Sequence, residues 1–267
     1  MSYSNGLRVI HPNAKIGKNV QIGPFTVIEE DVVIGDNCHI GSNVHIFNGA
    51  RIGENCHIFN GASVSVTPQT KITLDESTTL EVGNGTVIRE FCTLNRGNKK
   101  FGGKTVIGEN CLLMAYVHVA HDCIIGNNVV FSNNVTFAGH CRVDDYVVMS
   151  GYSGATQFVH IGAHAFVGGL TKVEKHLIPY GAAVGNPAEL SGLNLVGLKR
   201  RGFDRDAIHN LRTAYRMIFA SEGTLRERVE DAAAIFPKDE LVQDVVKFIV
   251  EAKDMPLTLP RHGHSDL

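Results

Sequence analysis

The stretch Ile34-Gly35-Asp36-Asn37-Cys38-His39-Ile40-Gly41-Ser42-Asn43-Val44-His45-Ile46 carries a large aliphatic residue at every sixth position and a small or β-branched residue four places after each. A helix repeats every 3.6 residues and a strand every two, so neither produces a unit of six with one large and one small apolar site. A prism does. Each hexad supplies one short parallel strand and one corner, three hexads make a coil, and the two kinds of side chain fill a triangular interior in layers about 4.8 Å apart.

The pattern extends outward in both directions. It runs from Ile10 to Val64, returns at Val82, Ile88 and Leu94, and continues from Ile107 to Val173, giving 25 hexads and about eight coils. All six cysteines (Cys38, Cys56, Cys92, Cys111, Cys123, Cys141) fall on the small inward position, where a thiol acts as compact apolar filler. With no Cys-x-x-Cys in the chain, neither disulfides nor a cysteine-bound metal is expected, and a buried thiol is a poor nucleophile. A core with 28 glycines among 267 residues and no tryptophan is expected to be narrow.

The period stops near Gly185-Asn186-Pro187, so the sequence divides into a prism over residues 1–186 and a helical domain over 187–267. Asp204, the Thr224/Glu227 capping box and Asp239 each precede apolar residues at helical spacing. Three or four amphipathic helices are expected, covering the open strand edges of the last coil, with a loosely ordered tail from Pro256 to Leu267.

Lys plus Arg number 25 against 27 Asp plus Glu, with no long block of like charge, which argues against a nucleic-acid binder. No apolar run is long enough to span a bilayer, and the polar start Met1-Ser2-Tyr3-Ser4-Asn5-Gly6 does not read as a secretory leader. A soluble, cytoplasmic protein is the expectation.

Two interruptions break the repeat, one between Val64 and Val82 (with Gln69-Thr70-Lys71, then Asp75-Glu76) and one between Leu94 and Ile107 (with Asn95 to Lys100). A solenoid admits insertions only at its surface, so both are candidates for ligand or subunit contacts. Residues 18 apart stack one coil above another. One corner therefore carries His121-Asp122, then Gly139-His140, then Gln157-Phe158, with His118 facing outward on the adjoining strand. Histidine, carboxylate and amide around a bare glycine can form an acid–base site. His39, His45, His57, His160 and His164 read as solvated faces or subunit packing. A zinc site from His118, His121 and His140, as in prism-shaped carbonic anhydrases, is an alternative use of these imidazoles, although the expectation is that the site holds no metal.

Taken with Gly197-Leu198-Lys199-Arg200-Arg201-Gly202-Phe203, the segments His118-Val119-Ala120-His121-Asp122-Cys123, Ala138-Gly139-His140 and Gln157-Phe158 resemble the UDP-N-acetylglucosamine O-acyltransferases of lipid A biosynthesis over nearly the full length. The resemblance implies an all-β left-handed parallel β-helix followed by a small α-helical domain, assembled as a homotrimer with sites between neighbouring prisms. It implies transfer of a 3-hydroxyacyl chain from acyl carrier protein to the 3-hydroxyl of UDP-N-acetylglucosamine, without a cofactor. In it His121 matches the general base, Asp122 its supporting carboxylate and the Gly139 N–H the oxyanion donor. His118, His140, Gln157 and Gln69 match substrate contacts, Gly169 the end of the acyl groove, and Arg200 and Arg201 residues near phosphates. Lys172 and Lys175 join those arginines as attractors of an acidic carrier. The family's Gln-Asp-Leu-Lys stands here as Gln69-Thr70-Lys71-Ile72, and Thr156 replaces a common histidine. An amino-sugar acceptor, or a non-catalytic solenoid, stays open at this point.

Overall fold

In the computed structural model, which describes residues 7–71, 77–252 and 255–261, three parallel sheets of short strands wind around one apolar core. Face A has nine strands (from Val9–Ile10 to Lys172–Val173), face B eight (Lys15–Ile16 to His160–Ile161) and face C ten (Gln21–Ile22 to Glu189–Leu193). From Val9–Ile10 to Lys172–Val173, neighbouring strands of a face lie three apart in chain order and run parallel, and the usual register is 18 residues, as in Val9↔Val27, His118↔Thr136 and Val130↔Val148. Eight three-strand coils are complete, in agreement with the hexad count. The hexapeptide prism is the left-handed β-helix fold, followed by helices.

The inward aliphatics and all six cysteines are buried, with Ile34, Ile46, Leu94, Phe131 and Phe137 each at most 2% exposed. The first coil differs: Ile10 is exposed and Ile16 half-buried, because among the described residues no coil lies beneath them to complete their layer. At nearly every corner the third residue after the inward aliphatic takes a left-handed backbone, which explains the recurrent asparagines Asn19, Asn37, Asn55, Asn110 and Asn128. Its N–H donates to a carbonyl of the coil below, as Asn128 does to Glu109 at 2.8 Å.

The first insertion stretches the register to 30 residues (Val64↔Leu94) and the second to 25 (Leu94↔Val119), without moving any later strand off its face. Both leave the prism at the corner after face A, called here the AB edge. Ile72, Asp75 and Glu76 of the first insertion lie outside the described residues.

The helices are α1 (Leu195–Arg200), α2 (Arg205–Ile218), α3 (Leu225–Ile235) and α4 (Glu240–Glu251). Asp204 and Asp239 cap α2 and α4, and Thr224 with Glu227 forms a complete capping box on α3. The helices flank the last coils more than they close them: Tyr180 donates to Asp244 of α4 at 2.7 Å, and Phe248 packs on His160. Strand edges are closed otherwise. Gly181–Val184 on face C pairs antiparallel with Glu189–Leu193. The segment expected to be a loose tail returns to the prism, where Leu257 bridges to His176, the Leu190 N–H donates to the Leu259 carbonyl, and Leu257 and Thr258 are buried. An unpaired edge and two apolar side chains outweigh the polar composition of that segment. Residues 262–267 lie outside the described residues.

Candidate active site

At the AB edge, Asp122, His140 and Phe158 hold the left-handed corner in three successive coils, with φ of 60°, 64° and 66°. The His140 N–H donates to the His121 carbonyl at 3.1 Å and the Phe158 N–H to the Gly139 carbonyl at 3.3 Å. The His140 and Phe158 rings stack at 4.7 Å, and His121 meets His140 edge-on at 5.1 Å. The 18-residue spacing thus brings these side chains into one column.

His121 Nδ1 lies 2.7 Å from Asp122 Oδ2, and that carboxylate is only 3% exposed. An ionised carboxylate accepts only, so the Nδ1 proton faces it and the Nε2 lone pair is left for the cleft. The second oxygen, Oδ1, accepts the Asn98 N–H at 2.8 Å, and the Asp122 N–H donates to Thr105 Oγ1 at 2.8 Å. Asp122 Oδ2 also lies 3.9 Å from His140 Nδ1.

Position 139 accepts only glycine, for a reason of space rather than backbone angle. A Cβ there would sit 2.7 Å from His121 Cε1 and 3.0 Å from Nε2. Its amide is also uncapped. At the next corner round, the BC edge, the equivalent N–H of Lys18, Glu54, Glu109 and Asn127 is capped at 2.7–2.8 Å by Asp36, Asn84, Asn127 and Asp145 of the coil above. Above Gly139 stands Gln157, one methylene longer, and among the described residues the Gly139 N–H has no acceptor.

His121, Gly139, Gln157 and Phe158 line a cleft of about 930 Å³, together with Gln69, His118, Lys172 and the small residues Ala138, Gly154 and Ala155. His118 Nδ1 is engaged by Thr93 Oγ1 at 2.7 Å. Burial pushes both His118 and His140 below the ordinary histidine range, so at neutral pH they offer hydrogen bonds rather than charge.

A single chain therefore assembles His118, His121, Asp122, Gly139, His140, Gln157 and Gln69 at a single edge. It does not bring Gly169, Arg200 or Arg201 there. Gly169 is exposed on the CA edge, two residues after Val167 of face C. Arg201 lies at the BC edge, its guanidinium 5.3 Å over the Tyr146 ring and donating to the Tyr146 carbonyl, and Arg200 ends α1 exposed. The zinc triad considered above does not assemble, because His118 turns to Thr93. His121, Asp122 and His140 do offer ligand atoms within 4.8 Å of one another. Sequence reasoning missed Thr93, Asn98, Phe101 and Thr105. Only Phe158, lying on the same 18-residue column, had a signal that could have marked it as a wall of the site.

Comparison with known proteins gives a consistent picture. Residues 177–255 match the family described as UDP-N-acetylglucosamine O-acyltransferase, domain 2, and residues 13–48 and 104–139 match the bacterial transferase hexapeptide family. The chain is 42% identical over 245 residues to a protein of Thiobacillus denitrificans, covering 92% of this chain and 95% of that one. It is 45% identical over 188 residues to one of Rhizobium etli, covering 70% and 69%. Both relatives carry the name of the O-acyltransferase between acyl-(acyl-carrier-protein) and UDP-N-acetylglucosamine. The solved UDP-N-acetylglucosamine acyltransferase of Bacteroides fragilis superposes with a TM-score of 0.92 at 38% identity, over 96% of this chain and 99% of that one.

Proposed function

The chain belongs to the UDP-N-acetylglucosamine O-acyltransferase family, and from that premise we propose that His121 is the general base of an acyl transfer completed between neighbouring prisms. The enzyme moves an acyl group from acyl carrier protein to UDP-N-acetylglucosamine. In the proposed reaction the sugar 3-hydroxyl oxygen attacks the thioester carbonyl of a 3-hydroxyacyl chain as its proton passes to His121 Nε2. The carbonyl oxygen, now negative, takes the Gly139 N–H. The C–S bond then breaks, and the proton on Nε2 goes to the departing thiolate of the carrier.

The observation that carries this reading is the imidazole held on Asp122 at 2.7 Å, with its other nitrogen beside an amide that has no acceptor. Asp122 fixes the ring and stabilises the imidazolium that forms. His118, His140, Gln69 and Gln157 are proposed to hold the sugar and the amide-rich carrier arm. The small residues Ala138, Gly154 and Ala155 leave a wall against which methylenes can lie.

A homotrimer is supported by the distribution of exposed apolar residues. The CA edge carries Phe25, Phe91, Tyr116, Tyr152 and Leu170 at the left-handed corner, with Tyr152 and Leu170 66% and 74% exposed. Such a stripe marks an interaction surface. Packed against the next protomer's AB edge, it would bring Gly169 to the end of that protomer's groove, while Arg200 and Arg201 would face phosphates or the acidic carrier. Among the described residues no helix is long and apolar enough to cross a membrane. We place the reaction in the cytoplasm, as a step of lipid A biosynthesis.

Replacing His121 with Ala is expected to lower turnover by about a thousandfold or more while leaving the assembly folded. The check is steady-state transfer from acyl carrier protein to UDP-N-acetylglucosamine beside a size measurement. A variant that keeps near-normal turnover removes His121 from the chemistry.

A further inference from the structure

Among the described residues, at nineteen corners of the prism the N–H of the third residue finds a carbonyl one coil below, for example Tyr116 on Glu90, His140 on His121 and Tyr152 on Asn133. Asp122 departs from that pattern. The coil beneath it has opened into the second insertion, and Thr105 Oγ1 takes the N–H at 2.8 Å. The same insertion then reaches back into the site. Asn98 donates its backbone N–H to Asp122 Oδ1 at 2.8 Å and caps the short 3-10 helix Lys99–Phe101 by accepting the Lys100 N–H, and Phe101 sets its ring edge-on to His140 at 4.5 Å. The loop is pinned at its neck, where a Cβ on Gly97 would meet the Lys104 backbone.

We propose that this insertion is a positioning device: Thr105 and the Asn98 amide together fix the plane and depth of the Asp122 carboxylate, so that Oδ2 alone faces His121. Thr105 is fully buried and Asn98 nearly so, and neither lines the cleft; both act through Asp122. Without the two bonds the carboxylate could rotate either oxygen toward His121 or His140, and the imidazole would lose a fixed direction. A misdirected base slows chemistry steeply without weakening substrate binding. The proposal rests on the reading of His121 as base.

The test is a kinetic series on the full chain with both substrates varied. Thr105→Val, which keeps volume and loses the acceptor, is expected to lower kcat about tenfold with both KM values within about twofold, and Thr105→Ser to restore most of the rate. Asn98→Ala, which uncaps the 3-10 helix outside the strand ladders, is expected to lower kcat several-fold in the same way, and serves where Thr105→Val does not fold. In a His121→Ala background neither change should slow the residual rate further. Wild-type kcat in folded Thr105→Val or Asn98→Ala overturns the proposal, as does an equal loss in both backgrounds. Turnover retained by His121→Ala would instead overturn the assignment of the base.

Discussion

The AB and BC edges are built from the same hexad, yet the coil above caps four amides of the BC edge and leaves that of Gly139 on the AB edge bare. Along the BC edge, asparagines take the left-handed corner, and carboxylate or carboxamide oxygens of the coil above cap the neighbouring amides of Lys18, Glu54, Glu109 and Asn127. Along the AB edge in the middle coils, histidine and phenylalanine replace the asparagines, two insertions bulge out, and among the described residues the Gly139 N–H has no acceptor. A repeat protein can thus create a site where a bare amide falls beside a fixed imidazole. Where a corner's own capping side chain is withheld, the amide that every coil must carry becomes a donor.

That contrast can be broken at Gln157. Asn84 and Asn127 at the equivalent position reach back to cap the amide below at 2.8 Å, so Gln157→Asn is expected to cap Gly139 and close the proposed oxyanion donor. Losing one such donor costs about a hundredfold in kcat or more. Gln157→Ala is the control, because it removes any substrate contact but cannot cap. Asn should therefore be slower than Ala while melting no lower, and an Ala variant as slow as Asn would return Gln157 to the role of a simple substrate contact.

The converse change tests the closed edge. Asn127 Oδ1 accepts the Glu109 N–H at 2.8 Å and its amide reaches toward Asp145. Asn127→Ala leaves the Glu109 N–H to water at an exposed corner, which should cost about 1 kcal/mol of stability and leave kcat unchanged. Denaturation alongside turnover reads both. A rate loss without a stability loss would mean that the BC edge is no mere scaffold.

How much of this the sequence could tell depends on whether a residue belongs to the period. The hexads made the three faces, the burial of six cysteines and the vertical column at His121, Gly139 and Gln157 legible, because an 18-residue register is fixed by filling the core. Asp204, Thr224 and Asp239 announced their helices through capping chemistry that is local. The insertions were visible only as gaps. Nothing in Asn98 or Thr105 says that the chain returns to the edge it left, since a loop outside the period has no register. The fate of Leu257 and Thr258 was hidden for a similar reason, being settled by an unpaired strand edge about eighty residues earlier in the chain. Gly169 and Arg201 stack on other corners, so the 18-residue register could not gather them with His121.

The smallest expected effect lies where the BC edge changes character. Past Asn128 its corner residues become Tyr146, His164 and Tyr180, stacked at 4.7 and 5.5 Å, with Phe203 edge-on to His164 and Arg201 over Tyr146. Burial first, and the nearby Arg201 guanidinium second, push His164 down from 6.5 to about 4. The unfolded chain therefore binds a proton below pH 6.5 that the folded protein takes up only near pH 4. Stability linked to neutral His164 is complete above the upper value and drains away as pH falls toward the lower one. His164→Gln, which cannot titrate, should flatten that acid slope, and wild type should lose on the order of a few degrees more than the variant between neutral pH and pH 4.5. Melting curves of the two proteins through that window decide it. Parallel slopes would mean that the ring stack yields to the proton without resistance, and that the helical region is held to the prism by other contacts such as Tyr180 on Asp244.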